Sequence, residues 1–407
     1  MIDRADAIRI IKESVLPLKR TEYVRTTESL NSVLAEDIAG EEYVPSSNIS
    51  AMDGYAVNTA DFETEPFRLK VAGLSRAGAD EKAGGLEPGT CIQIMTGAIV
   101  PEGANAVVKV EDTTRDGDYV VFQAKPTDNQ NIRFRGEDVW PGKKIIEKGS
   151  VINFGELASI LLTGREMVKV LREPRIGIVS TGDELIDFRE IPKLHQKREV
   201  NSLTVQSIIK QRFKNVRRYP VIKDDYKATI ESLRNIITEN DVIIVSGGMS
   251  MGKFDFVRPA VKELGFDILL HGVNQKPGKP FTFGVRKGDD RQRRYFIGLP
   301  GSPVATISNT VLLVMPFLRY LVTGYWPEFN TISAINAQTF EKDDLRMEFA
   351  RAVYNEEAKS VKILENQSSG VISSLASGNC YAVLNAGDKL INKGKTIQVI
   401  LFENIFC

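Results

Sequence analysis

A chain of 407 residues, 42% hydrophobic and 26% charged, has the ordinary balance of folded domains and is long enough for about two to four of them. Lys+Arg and Asp+Glu each number 53, so the net charge is zero, which excludes the basic excess of a general nucleic-acid binder. The cysteine count of 3 is odd, with no Cys-x-x-Cys pair, and the 2 histidines have no metal-ligand spacing. This argues for a reducing compartment and against a zinc or disulfide framework, and leaves chemistry to carboxylates, lysines, arginines and backbone amides.

Met1-Ile-Asp-Arg is charged from the start, unlike a signal peptide, and the apolar run Val311 to Leu318 is too short to span a bilayer and contains Pro316. A cytoplasmic protein with no membrane partner is the expectation. Ile2, Ala5, Ile8, Ile11 and Val15 recur at three-to-four spacing, which predicts an amphipathic helix over 2–16. An Asp53-Gly54 turn follows in Ser50-Ala-Met-Asp-Gly-Tyr-Ala. Between 66 and 140, short β-branched runs alternate with Gly, Pro and Asp turns, so a small all-β domain is expected. It carries Met95-Thr96-Gly97-Ala98 and Arg135-Gly-Glu-Asp138. Helical spacing returns over 141–170, a piece expected to pack on the N-terminal helix, with the β domain inserted between the halves.

From 175 strands and helices alternate, with strands at Ile176–Ser180, Arg218–Ile222, Val242–Val245, Asp267–Gly272 and Tyr295–Leu299. This predicts a doubly wound α/β domain whose ligands sit beyond the carboxyl ends of the strands. At that rim fall Ser180-Thr-Gly-Asp-Glu184, the turn Ser246-Gly247-Gly248-Met-Ser250-Met-Gly252, Gln275-Lys276-Pro-Gly-Lys279-Pro280, and Gly298-Leu-Pro300-Gly-Ser-Pro303. The glycines permit positive φ and close approach to bare amides, an anion cradle. The lysines and the acids Glu184 and Asp255 add sites for an anionic ligand and a cation. The rival reading is a Walker A loop, Gly247 through Lys253. It requires Ser or Thr next, and Phe254 stands there. From 329 onward strand-like runs predict a small β-barrel.

The motifs together identify a family. In order they are Ser50-Ala-Met-Asp-Gly-Tyr-Ala, Met95-Thr-Gly-Ala, Arg135-Gly-Glu-Asp, Ser180-Thr-Gly-Asp-Glu-Leu, Ser246-Gly-Gly-Met-Ser-Met-Gly with Asp255, Lys276-Pro-Gly-Lys-Pro and Leu299-Pro-Gly-Ser-Pro. The chain resembles the molybdopterin molybdenumtransferases, the bacterial MoeA proteins, which are similar to the C-terminal domain of gephyrin. The resemblance implies a fold: an elongated N-terminal linker domain (1–45 and 141–172), an inserted β domain (46–140), a doubly wound molybdopterin-binding domain (173–328) and a C-terminal β-barrel (329–407). It also implies insertion of molybdate into adenylylated molybdopterin with release of AMP, in molybdenum cofactor biosynthesis, with Mg2+. On that basis Asp255, Glu184, Asp53 and Asp138 are catalytic. Thr96, Gly247, Gly248, Ser250, Gly252, Lys276, Lys279, Pro300, Pro303, Arg351 and Ser369 contact substrate, with Arg346 a rival to Arg351. Glu184 and Asp255 would hold the cation.

Family members are homodimers with a composite cleft, so Asp53, Thr96 and Asp138 would reach a partner's pocket; other proteins of the cofactor pathway are further partners. Where the family reads Leu-Pro-Gly-Asn-Pro-Val-Ser, this chain has Ser302 and Ala305. That leaves a non-catalytic pterin-binding or scaffolding protein of the same fold as the alternative.

Overall fold

The computed structural model describes residues 2–18, 20–78, 84–249, 255–288 and 293–403. Of the predicted site residues, Ser250 and Gly252 lie outside this set, as does Lys253 of the Walker reading. The chain divides into two compact units, residues 1–22 with 171–407, and residues 23–170.

The first unit is built on a six-stranded sheet. Its order is Val216–Arg218, Ile176–Ser180, Val242–Ser246, Arg293–Leu299, Thr282–Lys287 and Asp267–His271. The first four strands are parallel. The second and third strands, Ile176–Ser180 and Val242–Ser246, are buried at every position, as their apolar, largely β-branched composition requires when helices cover both faces. The last two strands run antiparallel, so the sheet is mixed at one edge. The Thr282–Lys287 strand is not among those the sequence predicted. The strand expected at Arg218–Ile222 ends instead at Arg218, and Ile222 forms only an isolated bridge to Thr181.

One helical stretch runs from Pro303 to Thr323, with a π-helical segment at Thr310–Val314. By length and composition it could cross a membrane, yet 83% of its most apolar stretch is buried inside the fold, which makes it a core helix. Pro316 has no N–H to offer the carbonyl four residues back. The Arg4 guanidinium takes that place, donating to Leu312 O at 2.8 Å. Arg4 belongs to the predicted N-terminal helix, Arg4–Ser14. That helix therefore packs with the first unit, where the sequence reading had placed it against 141–170.

The C-terminal region is a closed five-strand barrel. Met347–Asn355, Ser360–Ile363, Ile332–Asn336, Thr396–Leu401 and Cys380–Leu384 pair in that order, and the last returns to the first. One outside segment joins it: Gln275–Lys276 pairs parallel with Met347–Glu348. That pairing ties the lysine loop of the sheet rim to the barrel wall.

The second unit holds a six-stranded sheet ordered Ala106–Lys109, Gly54–Val57, Thr90–Ile94, Arg68–Ser75, Tyr119–Phe122 and Thr113–Asp116. The expected strands are there. Residues 144–170 pack on the stretch before this sheet, through Leu34, Ile38, Ile146, Ile152, Ile160, Val168 and Val170.

Candidate active site

Three turns meet at the carboxyl ends of the parallel strands. Thr181 N donates to Ser246 O at 2.9 Å, and Gly247 N donates to Leu299 O at 3.2 Å. Ser246 Oγ donates to Pro300 O at 3.1 Å. Asn201 Nδ2 bonds both Ser246 Oγ and Gly301 O at 2.9 Å. Asn201 was missed in the sequence, where it reads only as the start of a helix. Beneath this junction Glu199, 3% exposed, accepts from Ser180 Oγ at 2.8 Å and from Ser202 N at 2.7 Å.

Gly247 and Gly248 adopt φ of 94° and 61°. A Cβ on Gly248 would lie 2.6 Å from Val257 Cγ2 and 2.9 Å from Thr181 Oγ1, so the turn excludes any larger residue. Thr181 Oγ1 and Asn201 Oδ1 are buried here without a hydrogen-bond partner among the described residues. The Gly247 N–H is used within the protein and so is not available to the anion cradle expected there.

The acids gather beside these turns. Asp183 N donates to Asp224 Oδ2, and Asp224 N donates to Asp183 Oδ1, each at 3.3 Å. Partial burial, then the charges of Asp183, Glu184 and Asp255, hold the Asp224 carboxyl above its usual range. The predicted pair Glu184 and Asp255 is therefore close enough to Asp224 to be felt by it, and Asp224 itself was missed. Among the described residues no three His, Cys, Asp or Glu side chains are set to hold a metal by themselves.

A cleft of about 660 Å³ opens where the sheet rim meets the barrel. Lys276 and Lys279 line it from the rim, Ser302 and Ala305 from the start of the long helix, and Asp343, Arg346 and Ser369 from the barrel. The lysine loop is clamped to that helix: Gln275 Nε2 donates to Asn309 Oδ1 at 2.9 Å, and Asn309 Nδ2 donates to Gly278 O at 3.0 Å. Gly278 has φ 102°, and a Cβ there would sit 2.1 Å from Asn309 Oδ1.

The two lysines differ. Lys276 Nζ bonds Asp343 Oδ1 and lies 3.2 Å from Glu348 Oε1. Lys279 makes no ion pair with any described residue. Arg346 is held by Asp344, with Nε to Oδ2 at 2.9 Å, and by Gln275 O at 3.2 Å.

Arg351, expected to line the pocket, does not. It is 1% exposed and works behind the wall. Its guanidinium donates to Asn366 O at 3.1 Å, Ser368 O at 3.0 Å and Ser374 Oγ at 3.0 Å. Arg346, the rival, lines the cleft. Of the predicted residues, then, Lys276, Lys279 and Ser369 face one cleft. Glu184 and Asp255 lie in the acid group, and the turn Pro300–Pro303 runs between the two places. Pro300 contributes its carbonyl to Ser246, and Pro303 stands in the first turn of the helix.

In the second unit, Asp53 Oδ1 accepts from Thr96 N at 2.6 Å and Thr96 Oγ1 at 2.8 Å. The backbone donor, then the hydroxyl, keep the Asp53 carboxyl below its usual range. Asp138 N donates to Val44 O at 3.0 Å.

Comparison with known proteins agrees along the whole chain. Residues 2–164 match the model of the MoeA N-terminal region (domain I and II), 177–320 that of a probable molybdopterin binding domain, and 333–402 that of the MoeA C-terminal region (domain IV). A molybdopterin molybdenumtransferase from Haemophilus influenzae is 32% identical over 391 residues, covering 95% of both chains. The chain belongs to the molybdopterin molybdenumtransferase family. A Staphylococcus aureus molybdopterin molybdenumtransferase is 28% identical over 389 residues, covering 94% of this chain and 91% of that one. Among solved structures, the molybdopterin biosynthesis moeA protein from Pyrococcus horikoshii has a TM-score of 0.82 at 26% identity, covering 99% of this chain and 100% of its own. The departures of this molybdenumtransferase-family chain from the family pattern, Ser302 and Ala305, both line the cleft. The Ser302 side chain makes no cap bond to the helix it precedes, while Ala305 presents only a methyl group.

Proposed function

We propose that this chain is a molybdopterin molybdenumtransferase that takes adenylylated molybdopterin and molybdate, inserts the metal into the dithiolene and releases AMP. The observation that carries this reading is the lysine cleft joined, through the 299–303 turn, to the glycine turn of the parallel sheet. A cleft with two ammonium groups and Arg346 suits a tetrahedral dianion, and the turn from Gly248 onward suits the pterin phosphate. Lys279, with no ion pair of its own among the described residues, is the first contact for molybdate, with Ser369 and Ser302 as hydroxyl donors. Arg351 keeps the 366–368 wall in place.

The donor set also suits Mg2+. That ion is commonly held by one or two carboxylates together with substrate phosphates and waters, so three protein ligands are not required. Glu184 and Asp255 would hold it, aided by Asp224, whose carboxyl is raised first by burial and then by the neighbouring negative charges, which a cation would relieve. Bound there, the cation would polarise the phosphoanhydride. In this reading the working unit is a cytoplasmic homodimer, with Asp53, Thr96 and Asp138 serving a partner's cleft and later proteins of the cofactor pathway accepting the product.

The test is to incubate the pure protein with adenylylated molybdopterin, Mg2+ and molybdate and to follow AMP. Release that does not depend on molybdate would sink the assignment. Absence of any turnover would favour the non-catalytic alternative that Ala305 raises. Mixing Asp53→Ala chains with Lys279→Ala chains tests the composite cleft, since mixed dimers regain one intact site and should recover activity that neither variant has alone.

A further inference from the structure

Lys276 is held by two carboxylates of opposite character. Glu348 belongs to the barrel wall: its side chain is 1% exposed, and the parallel register puts it directly opposite Lys276. Asp343 belongs to the rim: its side chain is 75% exposed, and it also lines the cleft. The neighbouring Asp344 is engaged by Arg346, whereas Asp343 makes no side-chain bond to any described residue other than Lys276.

Resting on the functional reading above, we propose that Asp343 is an internal competitor for the oxyanion, its carboxylate occupying the face of the Lys276 ammonium that the incoming dianion must take. The chemistry is a direct exchange. A carboxylate and a tetrahedral oxyanion both present oxygen acceptors to an ammonium; with its three N–H donors shared between Glu348 and Asp343, a dianion that seats against two of them must displace one carboxylate. Glu348 is the partner that stays. It is buried, and taking Lys276 away would leave an uncompensated charge in the wall. Asp343 is the partner that leaves, because an exposed ion pair is weak and its carboxylate is rehydrated when released. Lys279 then supplies the second positive charge. Asp343 thus sets the oxyanion concentration at which the cleft fills, and keeps Lys276 charged and oriented when it is empty.

The experiment is calorimetric titration of the full chain with sodium molybdate, in the wild type, in Asp343→Asn, in Lys276→Met and in the double variant. Asp343→Asn should bind molybdate about 2–5-fold more tightly, the range expected for removing a competing surface ion pair. The gain should disappear in the Lys276→Met background, because it acts through that ammonium. Unchanged or weaker binding by Asp343→Asn overturns the proposal. So does a gain that persists without Lys276, which would reduce Asp343 to a general electrostatic effect. Thermal melting separates this from misfolding: position 343 is exposed, so the Asn variant should melt with the wild type, and combining Lys276→Met with Glu348→Gln removes the buried charge that loss of the ammonium would strand. If the wild type itself shows no saturable molybdate binding, the functional reading falls and this inference with it; binding that ignores Asp343 overturns this inference alone.

Discussion

Arg351 donates a 3.0 Å hydrogen bond from its guanidinium to the backbone carbonyl of Ser368, so a buried arginine holds the wall of the cleft rather than the ligand. Two further bonds, to Asn366 O and Ser374 Oγ, complete the clamp. Arg351→Met should therefore unfold more easily in urea, by about 3 kcal/mol, as carbonyls in the buried interior lose charged donors. Arg346→Ala should leave the urea midpoint nearly unchanged and weaken molybdate binding. If the two variants behaved alike in both measurements, the division of labour would be wrong.

The lysines should differ in the same way. Lys279→Ala is expected to weaken molybdate binding about tenfold or more, the worth of a charge-assisted contact. Lys276→Ala should cost less, because its ammonium is already shared with Asp343 and Glu348. Neither should change pterin binding much. Parallel titrations with molybdate and with molybdopterin would show it, and equal losses for both ligands would contradict the placement.

Gly248 has φ 61° with Val257 and Thr181 closing on its Cα. Gly248→Ala should cost roughly 1–2 kcal/mol from the left-handed backbone alone, and more from the clash. The measurable consequences are a lower melting temperature and loss of pterin-phosphate affinity with molybdate affinity retained.

Asp224 gives a pH dependence. Its carboxyl, ordinarily at 3.8, is raised in the folded protein, chiefly by burial and then by Asp183, Glu184 and Asp255. Between the unfolded and folded values the native state binds more protons, so stability falls as pH rises through that window and remains lowered at neutral pH. Asp224→Asn keeps the oxygen that accepts from Asp183 N and removes the charge. It should melt higher than the wild type at neutral pH, with the difference fading below about pH 4. Mg2+ should raise the wild-type melting temperature more than that of the variant. A variant that melts lower than the wild type at pH 7 would refute the crowding of charge.

Arg4 and Pro316 form a pair that a double-mutant cycle resolves. Arg4→Met leaves Leu312 O without its donor, at a cost of about 1–3 kcal/mol. Pro316→Ala in that background returns an N–H at position 316 and should recover part of the loss. Additive effects of the two substitutions would mean that the bond does not serve that carbonyl.

Much of this was legible in the residues. The doubly wound sheet could be read because Val242–Val245 is an unbroken β-branched run and short apolar strands alternate with helical spacing on either side of it, and the barrel because turns separate its strands at short intervals. The glycine turns were visible because only glycine tolerates the backbone at Gly247, Gly248 and Gly278. What failed concerned sides and partners. Arg346 stands in the bend just before the Met347–Asn355 strand and Arg351 within that strand, and nothing local to either says which of the two meets the cleft. Asp224 and Asn201 stand in ordinary loop and helix-start contexts, and their importance comes from neighbours far along the chain.

By itself the sequence determined the family, the order of the elements, and which kinds of group would carry the chemistry, since these follow from local periodicity and from short motifs whose backbone demands are local. Only the tertiary structure decided that Lys276 is already paired and Lys279 is not, that Arg351 supports while Arg346 faces the cleft, and that the N-terminal helix is anchored under the long helix. The reason is physical. An ion pair, a buried carbonyl awaiting a donor, or the face of a barrel strand that meets a neighbouring loop is a property of residues brought together from separate stretches, and nothing in either stretch encodes the other's position.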